Sequence, residues 1–153
     1  MYILFLAFLV GVLSGLRAFM SLVAVVWAAR LNRLHLGGTK LAFLGFTISP
    51  YIATVLGLVE FVTDQLPSTP SRKVAKQFVP RLLLAAVSGG AIGIAGSSVG
   101  ISVAAAVLGA VVGTYGGAAL RASLAKLFKS DRPAAYVEDC VAIALAIFVV
   151  ANL

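Results

Sequence analysis

The sequence predicts an all-α fold made in a membrane: a polytopic transmembrane helix bundle of four to six membrane segments, with broken or re-entrant helices. Three observations predict it. The chain is 61% hydrophobic and 11% charged, where soluble chains run roughly 25% charged, so a soluble protein of this size could not hide its apolar surface. The apolar residues fall into long stretches, about 2–29, 41–66, 81–98, 100–128 and 133–153. The basic residues behind the formal charge of +7 gather in the short connections between those stretches, which suits anionic headgroups and the positive-inside rule.

These features place residues 1–153 in one integral domain of the cell (inner) membrane, multi-pass, with membrane lipids as partners. A nucleic-acid partner is not expected, because no polar basic face is visible. Cys140 is the only cysteine and His35 the only histidine. That excludes a disulfide framework and leaves no thiolate or imidazole cage for a metal.

The first stretch, 2–29, is apolar from Tyr2 onward without a basic leader, so it reads as a retained membrane segment. It exceeds the roughly 20 residues of a straight span and contains a break signal, Ser14-Gly15-Leu16-Arg17. The stretch 41–66 is broken by Ser49-Pro50, since proline removes a donor and disfavours helix at the residue before it. Loops 30–40, 67–81 and 126–132 are basic, and the connection near 97–101 is not. Charge bias would put all three basic loops on one side. Segment 41–66 then either re-enters the membrane as a hairpin bent at Pro50 or crosses once against the rule; both readings stay open.

Pro67-Ser68-Thr69-Pro70-Ser71 reads as a turn, with Ser71 as N-cap of a short basic helix over 72–79 that lies on the membrane surface. Stretch 81–98 fits one crossing. Stretch 100–128 runs long, with a break expected at Gly113 to Gly117 and then an amphipathic run ending near Lys129. Asp131-Arg132-Pro133 is a tight turn that starts the last crossing.

The order of a glycine-rich break, an arginine and a later helix carrying Val-Glu occurs twice, at Leu16-Arg17-Ala18 with Glu60 and at Leu120-Arg121-Ala122 with Glu138. Many secondary transporters are two such halves with the site between them. The spacing from Arg to Glu differs, 43 residues against 17, and alanine-rich helices repeat tripeptides by chance. An internal repeat and a coincidence are both open.

Function is sought among charges in apolar surroundings, because a charge at the bilayer centre costs about 3 kcal/mol and is therefore usually paired, wet or functional. Four of the five acidic residues, Glu60, Asp64, Glu138 and Asp139, lie in or at the edge of apolar segments, and Arg17 and Arg121 lie inside two others. These six form the candidate ligand or transport site. Glu60 and Asp64 share a helix face at i, i+4. Glu60 lies about 9 Å inside Leu66 at helical rise, while Asp64 can reach headgroup water. Arg17, thirteen residues before Arg30, sits about 20 Å deep if the helix is continuous. It can attract an anion at a broken helix, or pair with Glu60 and merely fasten two helices.

Arg121 and Glu138 flank the turn at Pro133 at similar depth, so a pair is easy there. Asp139 points about 100° away from Glu138, so the two cannot both face Arg121, and one of them would face Lys126 or another subunit. Arg17 and Glu60 thus stand out as deep and beside breaks, and the other four as pairs near the interface.

Gly11/Gly15, Gly89/Gly93, Gly96/Gly100, Gly109/Gly113 and Gly113/Gly117 have the four-residue spacing that lets membrane helices approach closely. They are read as packing positions within one bundle or between copies of a homo-oligomer. No phosphate loop or dinucleotide fingerprint exists among them. No histidine stands near a nucleophile, so no catalytic residue, enzymatic activity or cofactor is expected.

Ser14-Gly15-Leu16-Arg17-Ala18-Phe19, Val59-Glu60-Phe61-Val62-Thr63-Asp64-Gln65-Leu66-Pro67, Thr69-Pro70-Ser71-Arg72 and Glu138-Asp139 at the start of the last apolar helix occur together and in order. In these motifs the chain resembles, over nearly its whole length, the small prokaryotic integral membrane proteins called domain of unknown function 4126. The resemblance implies a polytopic membrane protein and assigns no activity or site. The functional expectation is a small transporter or channel-like protein whose arginines attract an anionic group or lipid phosphate while the carboxylates gate it or couple protons. The alternative is a structural or assembly subunit whose ion pairs fix helix register.

Overall fold

The computed structural model describes residues 1–64, 73–96 and 98–153. They form α1 (Tyr2–Leu16), α2 (Ala18–Arg30), a 3-10 turn (Ala42–Gly45), α3 (Ser49–Thr63), α4 (Ala75–Gly96), α5 (Val99–Phe128) and α6 (Asp131–Asn152). The fold is all helical, and α4, α5 and α6 are each long and apolar enough to cross a bilayer. Small residues fill the interior, among them Ala85, Ala106, Ala110 and Ala142, while Leu83, Leu108, Val112 and Ile147 point outward. Large apolar side chains outside and close-packed small ones inside are what a membrane protein needs, since lipid gives no hydrophobic drive to bury leucine.

The path of α1 and α2 decides the architecture. A straight helix over 2–30 would hold its ends about 42 Å apart. Instead both ends meet the end of α6: the Tyr2 hydroxyl donates to Asn152 Oδ1 at 2.7 Å, and Arg33 Nη1 donates to the Ala151 carbonyl at 2.9 Å. The chain therefore folds back at Arg17, whose backbone is extended (φ −140°, ψ 111°). The hairpin tip lies about 20 Å from that end of the bundle, by the helical rise of α2. The break expected in 2–29 is thus a reversal, and the stretch is no continuous crossing.

We call the end holding Tyr2, Arg30, Gly96 and Asn152 the head, and the end holding the α5–α6 turn the foot. α3 descends from the head beside α2. Trp27 Nε1 donates to Thr54 Oγ1 at 3.1 Å, Gly57 lies against Met20 and Val23, and Glu60 arrives at the hairpin tip. Pro50 stands in the first turn of α3, where its missing donor costs nothing, so it starts a helix and bends none. A hairpin bent at Pro50 is therefore not formed, and the helical hairpin among the described residues is α1–α2.

Three further expectations meet a different structure. α5 runs unbroken through Gly113 to Gly117; Gly113 serves contact with Val12 of α1 rather than a bend, and Gly116 meets nothing within 4 Å. The two Arg-bearing segments are consequently unlike, a hairpin tip at Arg17 and a continuous helix at Arg121, and no structural repeat is visible among the described residues. The basic segment near 73–79 is the first turns of α4, with Phe78 edge-on to Tyr115 of α5 and Lys73 over the same ring, not a separate surface helix. The proline-rich turn at 67–71 and the N-cap at Ser71 lie outside the described residues.

Glycine draws α1 onto α5. A Cβ on Gly11 would stand 1.9 Å from the Ala106 carbonyl oxygen, one on Gly15 2.5 Å from that of Ala110, one on Gly109 2.2 Å from that of Phe8, and one on Gly113 2.2 Å from that of Val12. Gly89 and Gly93 meet Ser102 and its neighbours on α5 in the same way, and Gly96 meets Ile3. Gly117 is buried. Gly100 faces open space, so it is no packing position within the bundle.

Candidate functional site

A helix break inside a bundle leaves carbonyls without partners at one helix end and amides without partners at the next. Here charged side chains from neighbouring helices fill both positions. At the start of α2 the backbone amides of Ala18 and Phe19 donate to the two oxygens of Glu60, at 2.6 and 2.9 Å. A carboxylate at a helix N-terminus is also favoured by the macrodipole. At the end of α1, Arg81 Nη1 donates to the carbonyls of Gly15 and Leu16, each at 2.9 Å. Ser14 returns a bond, its hydroxyl donating to the Arg81 carbonyl at 2.7 Å, which ties α4 to α1.

Arg17 itself projects from the tip between α3 and α6. Its Nε and Nη2 donate to Asp139 Oδ1 at 2.9 and 2.5 Å, and its Nη1 bonds Asp64 Oδ2. The guanidinium also lies over Phe61, 5.5 Å from the ring centroid. Asp64 Oδ2 is shared with Arg81 Nη2 at 3.5 Å, and Arg81 Nη2 stands 3.8 Å from Glu60. Two arginines and three carboxylates from four segments thus converge on one break. Arg17 is 0% and Arg81 1% exposed. Removing either partner of such a buried pair leaves an uncompensated charge, which is far costlier than losing a surface pair.

Of the six residues singled out from sequence, Arg17, Glu60, Asp64 and Asp139 meet in this cluster. Several pairings differ from expectation. Arg17 bonds Asp64 and Asp139, while Glu60 caps α2 beside Arg81; an Arg17–Glu60 pair is not how the helices are fastened. Asp64 is wedged between two guanidinium groups instead of reaching headgroup water, and Asp139 faces Arg17 instead of Lys126 or another subunit. Arg121 and Glu138 do approach, at 3.5 Å, but the closer partner of Arg121 is Asp131, with contacts of 2.6 and 3.0 Å. This second group lies toward the foot, with Asp131 exposed.

Arg81 was missed because it looks like the end of a basic loop. The available signal was its position directly before Leu82-Leu83-Leu84, with Val74 and Phe78 continuing the same helical spacing. Once α4 starts at Ala75, Arg81 is nearly two turns inside the helix, not in a connection.

Chemically, the tip holds two amide donors on the Glu60 carboxylate with one guanidinium, that of Arg81, 3.8 Å away, while Arg17 is engaged by Asp64 and Asp139. Two N-terminal amides and a nearby guanidinium are groups that favour a negative charge, and here the Glu60 side chain supplies it. No family model, curated protein or solved structure matches the chain.

Proposed function

We propose that this protein is a small membrane transporter or channel-like protein in which an anionic group displaces Glu60 from the hairpin tip. The observation that carries the reading is the Glu60 carboxylate on the Ala18 and Phe19 amides, beside buried Arg81. Broken half-helices with their amide ends aimed at anionic substrate groups are how several transporters hold cargo near mid-membrane. Protonation of Glu60 would release the amides and lower the negative charge facing an incoming carboxylate or phosphate. Return of the anion to water would let Glu60 ionise and reseat, coupling a proton to each passage.

In the proposed topology α1–α2 is re-entrant from the head, and the chain crosses four times, through the segment begun by α3 and then α4, α5 and α6. Lys73, Lys76, Lys126, Lys129 and Arg132 toward the foot outnumber Arg30, Arg33 and Lys40 at the head, which supports a cytoplasmic foot in the cell inner membrane. Membership of the family named above belongs to the same proposal.

The test is anion-dependent proton entry into proteoliposomes that enclose a pH-sensitive dye, with acetate and inorganic phosphate as probes. Wild type is expected to accelerate the dye response, and Glu60→Gln, which keeps the shape but cannot carry the proton, to lower it at least tenfold while remaining folded. A folded Glu60→Gln with wild-type flux would refute the coupling.

One observation favours a structural reading instead: the charges of the cluster have protein partners at every helix end they meet. Under that reading the charges only fix the hairpin, and any variant that folds should behave as wild type.

A further inference from the structure

Between α2 and α6 at the head lies an open groove of about 470 Å³, within the range of pockets that hold small ligands. Its walls are apolar, with Met20, Trp27, Ile143, Ile147 and Val150 along them, and Arg33 stands at one end as its single charged residue. Trp27 spends its N–H on Thr54, so its polar edge is turned to α3. Arg33 is exposed and is fixed at the mouth by one bond, Nη1 to the Ala151 carbonyl at the end of α6. A guanidinium carries five donors, so this bond positions the fork and leaves donors for an anion. Arg30, also exposed, does not line the groove.

An apolar trough that ends at a guanidinium matches one occupant in both parts. We infer that the groove is a binding site for an anionic phospholipid, one acyl chain lying along α2 and α6 and the phosphate held by Arg33. Its Arg33 end is about 20 Å from the hairpin tip by the rise of α2, and its apolar end at Met20 reaches within a turn of Arg17. Basic residues at such pockets between membrane helices recognise anionic headgroups, and one cation near the surface is worth about a fivefold preference.

Trp27 is the only tryptophan in the chain and lines the groove, so it reports occupancy directly. Full-length protein in phosphatidylcholine vesicles would be titrated with chain-brominated phosphatidylglycerol or chain-brominated phosphatidylcholine, reading Trp27 quenching. The anionic lipid is expected to reach half-maximal quenching at about fivefold lower mole fraction. Arg33→Gln, at an exposed position that does not threaten folding, should make the two lipids equal. Equal quenching of wild type by both lipids would overturn the site, as would a preference unchanged in Arg33→Gln. Quenching by neither lipid would show the groove covered by a second copy or by the protein itself, and would overturn it too.

Discussion

Arg17→Ala is expected to lower the unfolding free energy by about 3–5 kcal/mol, because it strands buried carboxylates without their counter-charge. Two of its contacts are to Asp139 and one to Asp64, so the loss falls on α3 and α6 together. Arg17→Lys keeps the charge but not the planar fork and cannot reach both acids with the same geometry; it should fall between wild type and alanine. In Arg17→Ala/Asp139→Asn, part of the loss should return, because one stranded charge is gone. Reversible unfolding in detergent, followed by circular dichroism, measures all three, and the double-mutant cycle isolates the coupling. A loss below about 1 kcal/mol in Arg17→Ala would place the guanidinium in water and not in the bundle.

Gly11→Ala should be strongly damaging, since its added methyl meets the shortest approach among the glycines of the α1–α5 contact described above. The new Cβ would lie 1.9 Å from a backbone oxygen of α5, and a backbone atom cannot rotate away as a side chain can. Overpacking costs about 1–3 kcal/mol and sometimes more; here α1 must separate from α5, so the upper end or beyond is expected. The effect reaches the site, because α1 carries the Gly15 and Leu16 carbonyls that hold Arg81. Gly100→Ala is the internal control, with nothing within 4 Å of its Cβ, and should be neutral or slightly stabilising through helix propensity. Thermal midpoints of the two variants compare them directly; similar losses in both would contradict the α1–α5 contact.

Class and components were legible in the sequence, and direction was not. Composition and apolar stretches suffice for an all-helical membrane bundle, and Ser14-Gly15-Leu16-Arg17 marks the break where it occurs. Nothing local distinguishes a kink from a reversal, because that depends on Tyr2 and Arg33 both meeting the end of α6. Pro50 misled for a related reason: proline ends one helix and begins another equally well, and only its neighbours decide. Depth along a helix identified Arg17 and Glu60 as buried, yet partners are set by rotation and by which helices adjoin. Hence Asp139, assigned to the interface from its distance to the turn, belongs to Arg17. The hundred-degree offset from Glu138 did separate the two acids correctly, since one faces Arg121 and the other the hairpin tip.

That the hairpin tip is an anion seat which Glu60 fills can be tested most directly by emptying it. Glu60→Ala removes the carboxylate and leaves the Ala18 and Phe19 amides beside Arg81. The thermal midpoint of this variant would be followed in sodium formate against sodium chloride at equal concentration. A ligand that binds only the folded state raises the midpoint by mass action, so formate should restore much of the stability lost in Glu60→Ala and leave wild type unchanged. Identical midpoints of Glu60→Ala in the two salts would contradict the account.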